Sequence, residues 1–455
     1  MSRTSDNALI RIIPPLCDTF KGFLLSGQIM GKERGVLCHL TSLPKSNVEN
    51  IKKFISILSK NNIQSWQMLP ITPPDQHGSP YSSPSAFAGW NELVESKTLE
   101  EMKQDDYWLE DWALFCTIKS YHNDLPWTQW PEKLRDRAPE AMREWREKPE
   151  FSQAITSQQS FLAGWNKVHG HAKKSCVSLI GDLPIFVAHD SADVWAHREL
   201  FQLDRLGMPN VVAGVPPDYF SEDGQKWGTV LYNWDAHKKE NWRWWKERMA
   251  RMMRLFDIVR IDHFRGFHSA WAIPAEDVNA RNGKWQEGPK SQILKVLIEV
   301  AGSEKRIIAE DLGIIPPEVT KLRVENGLDG MAVIQFGFDG NLETNPHHPR
   351  NIGSDQIAYT GTHDNDTTLG WWNQSDEGRQ ERIKELLHDD EDVVEGCIRM
   401  AIESDSKLAI IPLQDILRLD SDCRMNTPGT SFNNWNWKFS WQDLDSNSLE
   451  WFGTL

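Results

Sequence analysis

Short apolar runs recur along the chain, each separated from the next by a longer charged or helix-periodic stretch. Eight such runs can be counted: residues 34–40 (RGVLCHL), 65–69 (SWQML), 177–182 (VSLIGD), 256–261 (FDIVRI), 306–309 (RIIA), 331–336 (MAVIQF), 356–360 (QIAYT) and 408–413 (LAIIPL). Unbroken apolar runs of this length are the mark of strands buried on both faces, as in a parallel sheet covered by helices. Eight is the number that closes a (β/α)8 TIM barrel, and 455 residues exceed the roughly 250 of a bare barrel, so the pattern predicts an α/β barrel carrying insertions.

Between the first two runs, Val48, Ile51, Phe54, Ile55 and Leu58 recur at helical spacing behind the capping candidates Ser46 and Asn47, as a right-handed βαβ crossover requires. The gap between the second and third runs is too long for one crossover. Residues from about 97 to 174 are rich in Glu, Lys, Arg and Trp at helical spacing and read as an inserted helical subdomain. A second insertion, about 188–235, is dense in Gly, Pro, Asp and Trp and reads as loops on the C-terminal rim of the barrel. Residues 1–30 form an N-terminal extension ahead of a catalytic unit spanning 31–455.

Charge narrows the partners. Fifty Lys and Arg face 65 Asp and Glu, a net charge of −15, which disfavours nucleic acid and anionic lipid surfaces. No apolar stretch approaches the ~18 residues of a bilayer span and the N-terminus lacks a signal-type apolar core, so the cytoplasm is the expected location. Six cysteines (17, 38, 116, 176, 397, 423) stand singly, against a disulfide framework or thiolate metal site. Against only 6 Tyr there are 22 Trp, and flat rings stack on sugar faces as well as fill cores.

Barrel enzymes place their reactive groups just past the C-terminal ends of the strands. Three runs here end in carboxylates: Arg260-Ile261-Asp262-His263, Ala309-Glu310-Asp311 and Thr362-His363-Asp364. Acids converging on one mouth suit glycosidic chemistry, where one carboxyl protonates the leaving oxygen and another captures or stabilises the cationic sugar. If alternation brings Arg260 and Asp262 to one face, the guanidinium keeps the carboxylate ionised, as a nucleophile requires. Glu310 has apolar neighbours that raise its pKa toward that of a general acid, and Asp364 with His363 is placed to grip sugar hydroxyls. Taken singly, each of these has a plainer explanation: a structural ion pair, a polar loop edge, a satisfied histidine. Asp364-Asn365-Asp366 also spells the D-x-D string by which some nucleotide-sugar transferases hold a cation. No P-loop, G-x-G-x-x-G, H-E-x-x-H or G-x-S-x-G accompanies it, and no cofactor or metal is expected.

Longer motifs carry a family resemblance. Residues 39–44 (HLTSLP), 78–81 (GSPY), 85–89 (SAFAG), 181–187 (GDLPIFV), 214–218 (GVPPD) with Trp227-Gly228, 260–267, 309–313 (AEDLG), 361–372 and 424–429 (RMNTPG) resemble 4-α-glucanotransferases of the amylomaltase, or disproportionating enzyme, type. The resemblance implies a (β/α)8 enzyme that moves α-1,4-glucan segments between maltooligosaccharides with retention, through a covalent glucosyl-enzyme intermediate. It makes Asp262 the nucleophile, Glu310 the acid/base and Asp364 the transition-state stabiliser. Tyr81 then stacks beneath the sugar at the cleavage point, Arg260, His363, Asp182 and Asn426 bind that sugar, and Ser79, Gln225, Trp227 and Asp339 line neighbouring subsites. The implied substrates are glucans derived from starch or glycogen. Four places depart from the family's spelling: Thr229-Val230 where Asn-Pro is usual, Ala270-Trp271 for Tyr-Trp, Trp90 for Asn, and Asn433-Asn434 for Gly-Asn. A silent glucan-binding scaffold is the rival from another class; such proteins typically lose an acid, and all three stand here.

Overall fold

The computed structural model describes residues 32–100, 106–217, 222–430, 432–445 and 448–455. The N-terminal extension with Cys17, and Asp218 of the 214–218 motif, lie outside the described residues. In chain order the strands are β1 (Glu33–Leu37), β2 (Ser65–Gln67), β3 (Ser178–Pro184), β4 (Val211–Val215), β5 (Gln225–Val230), β6 (Ile258–Asp262), β7 (Ser269–Pro274), β8 (Lys284–Glu287), β9 (Ile307–Ala309), β10 (Gly330–Val333), β11 (Gln356–Tyr359) and β12 (Leu408–Pro412).

Eight of these, one from each apolar run, form a parallel sheet in the order β10-β11-β12-β1-β2-β3-β6-β9. The two ends meet through one parallel bridge, Ile308 with Asp329, so the sheet closes into the expected barrel. Alternation along the strands sorts the side chains into two cores. Leu37, Ile180, Ile258, Ile308, Ile357 and Ile410 fill the interior, while Val36, Leu179, Val259, Ile307, Ala358 and Ile411 point outward into the packing against the helices. The first crossover is the helix Val48–Lys60, capped by the Asn47 side chain accepting from Asn50 N at 2.9 Å and burying Ile51, Phe54, Ile55 and Leu58. Such a cap is worth about 0.5–2 kcal/mol.

Between β2 and β3 run the helices Leu109–Tyr121, Pro139–Arg146 and Pro149–Lys174. Much of the tryptophan excess is spent on packing: Trp66, Trp127, Trp165, Trp195, Trp244 and Trp245 are fully buried. The Gly- and Pro-rich stretch after β3, expected to be loops, contains β4 and β5. These join β7 and β8 in an antiparallel sheet ordered β5-β4-β7-β8. β4 pairs with the neighbouring β5 and also, from Val211 with Pro274 to Gly214 with Trp271, with the distant β7, a match that no local turn signal announces. Among the described residues no helix is long and apolar enough to cross a membrane.

Candidate functional site

The strand alternation that fills the barrel with aliphatic side chains changes chemistry toward its C-terminal end. Ile180 is followed two residues later by Asp182, and Ile258 by Arg260 and then Asp262, so the same inward face passes from hydrocarbon to charge. Asp182 and Arg260 are register partners on adjacent strands. Arg260 Nη1 donates to both Asp182 oxygens at 2.8 and 2.7 Å, and its Nη2 lies 3.0 Å from Asp262 Oδ1. The Asp182 and Arg260 side chains are buried, whereas 27% of the Asp262 side chain meets solvent, which places it at the floor of the open mouth.

After Asp262 the chain turns sharply. His263 adopts the left-handed conformation (φ 51°, ψ 50°), uncommon for a residue with a Cβ. The turn aims its backbone N–H at Glu310 Oε2, 2.6 Å away, while Leu312 N donates to Oε1 at 3.0 Å. The acid at the end of β9 is thus held one peptide away from the acid at the end of β6. The His263 ring packs edge-on against Trp227 (centroids 4.8 Å, 89°), and Trp227 Nε1 donates to Gln225 Oε1 at 3.1 Å, both on β5.

A third acid comes from the loop after β11. Asn426 Nδ2 donates to Asp364 Oδ1 at 2.6 Å, His363 Nε2 lies 3.4 Å from the same oxygen, and Arg424 binds the Asp364 carbonyl at 2.6 Å. Tyr81 ties this loop to the β3–β6 charges. Its ring stacks on His363 (5.2 Å, 10°), its hydroxyl donates to Asp182 Oδ2 at 2.7 Å, and Ser79 Oγ accepts from its backbone N–H at 3.3 Å.

Direct contacts therefore connect Asp262, Glu310, Asp364, Tyr81, Ser79, Asp182, Gln225, Trp227, Arg260, His363 and Asn426 into one constellation. Asp339 is engaged elsewhere, by Arg379 Nη2 at 2.8 Å. Three contributors were given no role from the sequence: His263 and Arg424, though both lie in quoted motifs, and Trp435, whose ring lies 5.8 Å from Tyr81 and 6.0 Å from His363. Nothing in their spacing marks them, because each acts through a turn or a loop rather than a strand face.

Electrostatics in the mouth departs from the simplest expectation. Burial pushes the Asp262 carboxyl well above the usual range; Arg260 opposes this, and Asp182, Glu310 and Asp364 reinforce it. Burial is the larger cause, and beside it the guanidinium expected to serve Asp262 alone is shared with Asp182, which it meets at 2.8 and 2.7 Å. Glu310 is also raised by burial, against Arg260 and the two backbone donors. Burial disfavours charge on Arg260, yet Asp182 and Asp262 hold it firmly protonated. Burial lowers His263 to about 4 and keeps His363 below its ordinary value, so both rings are neutral at pH 7. Among the described residues no group of three or more His, Cys, Asp or Glu is arranged to hold a metal ion.

A model of the family described as 4-alpha-glucanotransferase matches residues 38–104 and 90–444. The chain belongs to the 4-α-glucanotransferase family. It is therefore an enzyme, a transferase by descent, and the resemblance read from its motifs holds. A 4-alpha-glucanotransferase of Thermus thermophilus is 38% identical over 471 aligned residues, covering 89% of this chain and 94% of that protein. One from Synechocystis sp. is 43% identical over 352 residues, covering 76% and 70%. The structure of the amylomaltase from Streptococcus agalactiae in complex with acarbose superposes with a TM-score of 0.87 at 30% identity, over 93% of this chain and 98% of that one.

Two departures from the 4-α-glucanotransferase spelling acquire a physical meaning. Asn433 takes φ 60°, the left-handed conformation that a glycine adopts freely and Asn tolerates better than most. Asn434 then accepts from Thr427 N at 2.9 Å and donates to Thr430 O at 2.9 Å, closing the loop that carries Trp435. Ala270 lies on β7 opposite Gln286 of β8, within the antiparallel sheet.

Proposed function

We propose that this protein transfers α-1,4-glucan segments between maltooligosaccharides, such as those derived from starch or glycogen, by a retaining double displacement. Glu310 protonates the glycosidic oxygen while Asp262 attacks the anomeric carbon; the bond to the leaving glucan breaks and a glucosyl ester forms. Glu310, now ionised, takes the proton of an acceptor hydroxyl, which attacks the same carbon and releases Asp262. Asp364, with His363 and Asn426 beside it, stabilises the flattened sugar. Tyr81 stacks beneath the ring, Arg260 and Asp182 fix the floor, and Ser79, Gln225, Trp227 and Asp339 extend the path for longer chains.

The observation that carries this reading is the bond from His263 N to Glu310, one residue from Asp262. It favours a short carboxyl separation, and retention needs about 5–5.5 Å, against roughly 6.5–9.5 Å for inversion. Arg260, 3.0 Å from Asp262, is the charge that works against burial to keep that carboxyl ionised, as a nucleophile requires.

Transfer and hydrolysis share this chemistry and differ in whether a sugar hydroxyl or water reaches the intermediate first. Incubation of the pure protein with maltotriose separates them. A ladder of longer and shorter oligomers with free glucose is expected; shortened products alone would overturn transfer.

A further inference from the structure

Glu310 is gripped through both of its oxygens, and the two donors differ in their support. His263 N, which bonds Oε2, belongs to the turn that follows β6 directly. Leu312 N, which bonds Oε1, opens a stretch without regular structure that runs to the helix Pro317–Glu325. Leu312 leans half-buried on the barrel interior, but the residues after it do not. Gly313 takes φ 85°, and a Cβ there would meet nothing within 4 Å; Ile314 is 69% exposed. Packing does little to fix this part of the chain.

One side chain reaches it. Arg265, two residues past His263 on the same turn, donates from Nη1 to Ile314 O, and among the described residues that is the one hydrogen bond made to residues 313–315. Burial lowers the pKa of Arg265 and no carboxylate counters it. What seats the guanidinium is a ring: its carbon lies 3.8 Å from the centroid of Trp285 on β8, within cation–π range. Trp285 is itself located by the turn that carries Arg265. It meets Trp271 across the strand pair (5.1 Å, 62°), and past the end of β8 Gly288 N donates to His268 O and Lys290 N to Phe267 O, both at 2.8 Å. Turn, ring and guanidinium form one bracket with the Ile314 carbonyl at its tip.

We infer that Arg265 is a positioning residue for Glu310: from its seat on Trp285 it holds the Ile314 carbonyl, and with it the Leu312 N–H that orients the carboxyl opposite His263. The inference rests on the acid/base role given to Glu310. Loosening residues 312–314 leaves Asp262 and the ladders of β6 in place while Glu310 loses its aim at the glycosidic oxygen, so the defect is confined to proton transfer.

Two substrate sets read that confinement. Maltotriose needs a proton moved at each step. α-Maltosyl fluoride with azide as acceptor needs none, because fluoride leaves as the anion and azide attacks as one, so that only the nucleophile is called on. Arg265→Met should lose about 10–100-fold in kcat on maltotriose and stay within about threefold of wild type on the fluoride with azide. Glu310→Gln, the comparator, should show the same selectivity with a larger loss. Equal losses of Arg265→Met on both sets, or none on either, beside a selective Glu310→Gln would overturn the inference. An unselective Glu310→Gln would overturn the acid/base reading beneath it. Should Arg265→Met fail to fold, Trp285→Leu, at a residue 43% exposed, decides by the same two rates.

Discussion

Two flanks of the barrel mouth hold their acids by different means. On one flank β3 and β6 pair over five residues, from Ile180 with Ile258 to Pro184 with Asp262, and Arg260 sits within that ladder. On the other, β9 has three residues, and its link to β10 is the single bridge from Ile308 to Asp329, with Ala309 N donating to Asp329 O at 2.8 Å. There side chains replace the missing ladder. Asp311 accepts from Met331 N at 2.8 Å and pairs with Arg323 Nε at 2.9 Å, and Arg323 Nη1 reaches the carbonyls of Leu328 and Asp355, both at 2.9 Å. Gly330 makes room: a Cβ there would lie 2.7 Å from Asp311 Oδ2. Asp262 therefore has a backbone ladder on both sides, whereas Glu310 has one only toward β6, where Glu310 N donates to Ile261 O at 3.0 Å, and toward β10 relies on a buried ion pair one residue away.

The contrast can be broken in order of expected effect. Glu310→Gln should lower kcat by about 10²–10⁴-fold at nearly unchanged glucan affinity, measured by maltotriose turnover and by calorimetric titration. A rate close to wild type would remove Glu310 from its role and with it the functional meaning of the seam.

Next in size, Arg323→Met should destabilise the fold by about 3–5 kcal/mol in denaturant unfolding, because Asp311 is left buried and unpaired. Adding Asp311→Leu should recover part of that loss in stability but lower kcat, since it removes the bond from Met331 N that Arg323→Met leaves in place. Recovered stability with kcat unchanged would mean that the seam does not position Glu310.

A smaller, more pointed test lies on the β3–β6 flank. Asp182 raises the pKa of Asp262, so Asp182→Asn should lower it. Under the proposed roles Asp262 must be ionised, so the acid limb of the kcat profile should move to lower pH, with an overall loss of rate. A limb that stays in place would mean that Asp182 and Asp262 do not share the Arg260 charge.

The mildest change leaves both flanks intact. Asn433→Gly, at φ 60°, should alter unfolding stability by less than about 1 kcal/mol and keep turnover within twofold, marking the Trp435 loop as tolerant where the seam is not.

This asymmetry also separates what was legible in the chain from what was not. Strands buried on both faces are spelled as apolar runs, and each of the eight runs overlaps a barrel strand. Ends were missed in both directions: β3 and β6 run on to Pro184 and Asp262, whereas at 331–336 the segment Ile334–Phe336 turns into a 3-10 helix that brings Gln335 under the loop bearing Asp364. The pairing of Arg260 with Asp262 follows from a period of two. Its division with Asp182 does not, because that requires knowing which strand lies alongside in register. Arg323 was silent for the same reason: a cation twelve residues past Asp311 on a helix has no local signature. The antiparallel sheet was hidden because its central pairing joins Val211 to Pro274 and Gly214 to Trp271, far apart in the chain. Family motifs pointed to the acids and to Tyr81, but the links among them run through His263 and Arg424, where backbone geometry rather than residue type does the selecting.

The left-handed turn at His263 has a mechanical consequence. One amide unit is bonded covalently to Asp262 on its carbonyl side and by hydrogen to Glu310 on its nitrogen side. Neither carboxylate can therefore be displaced without loading the peptide that the other leans on.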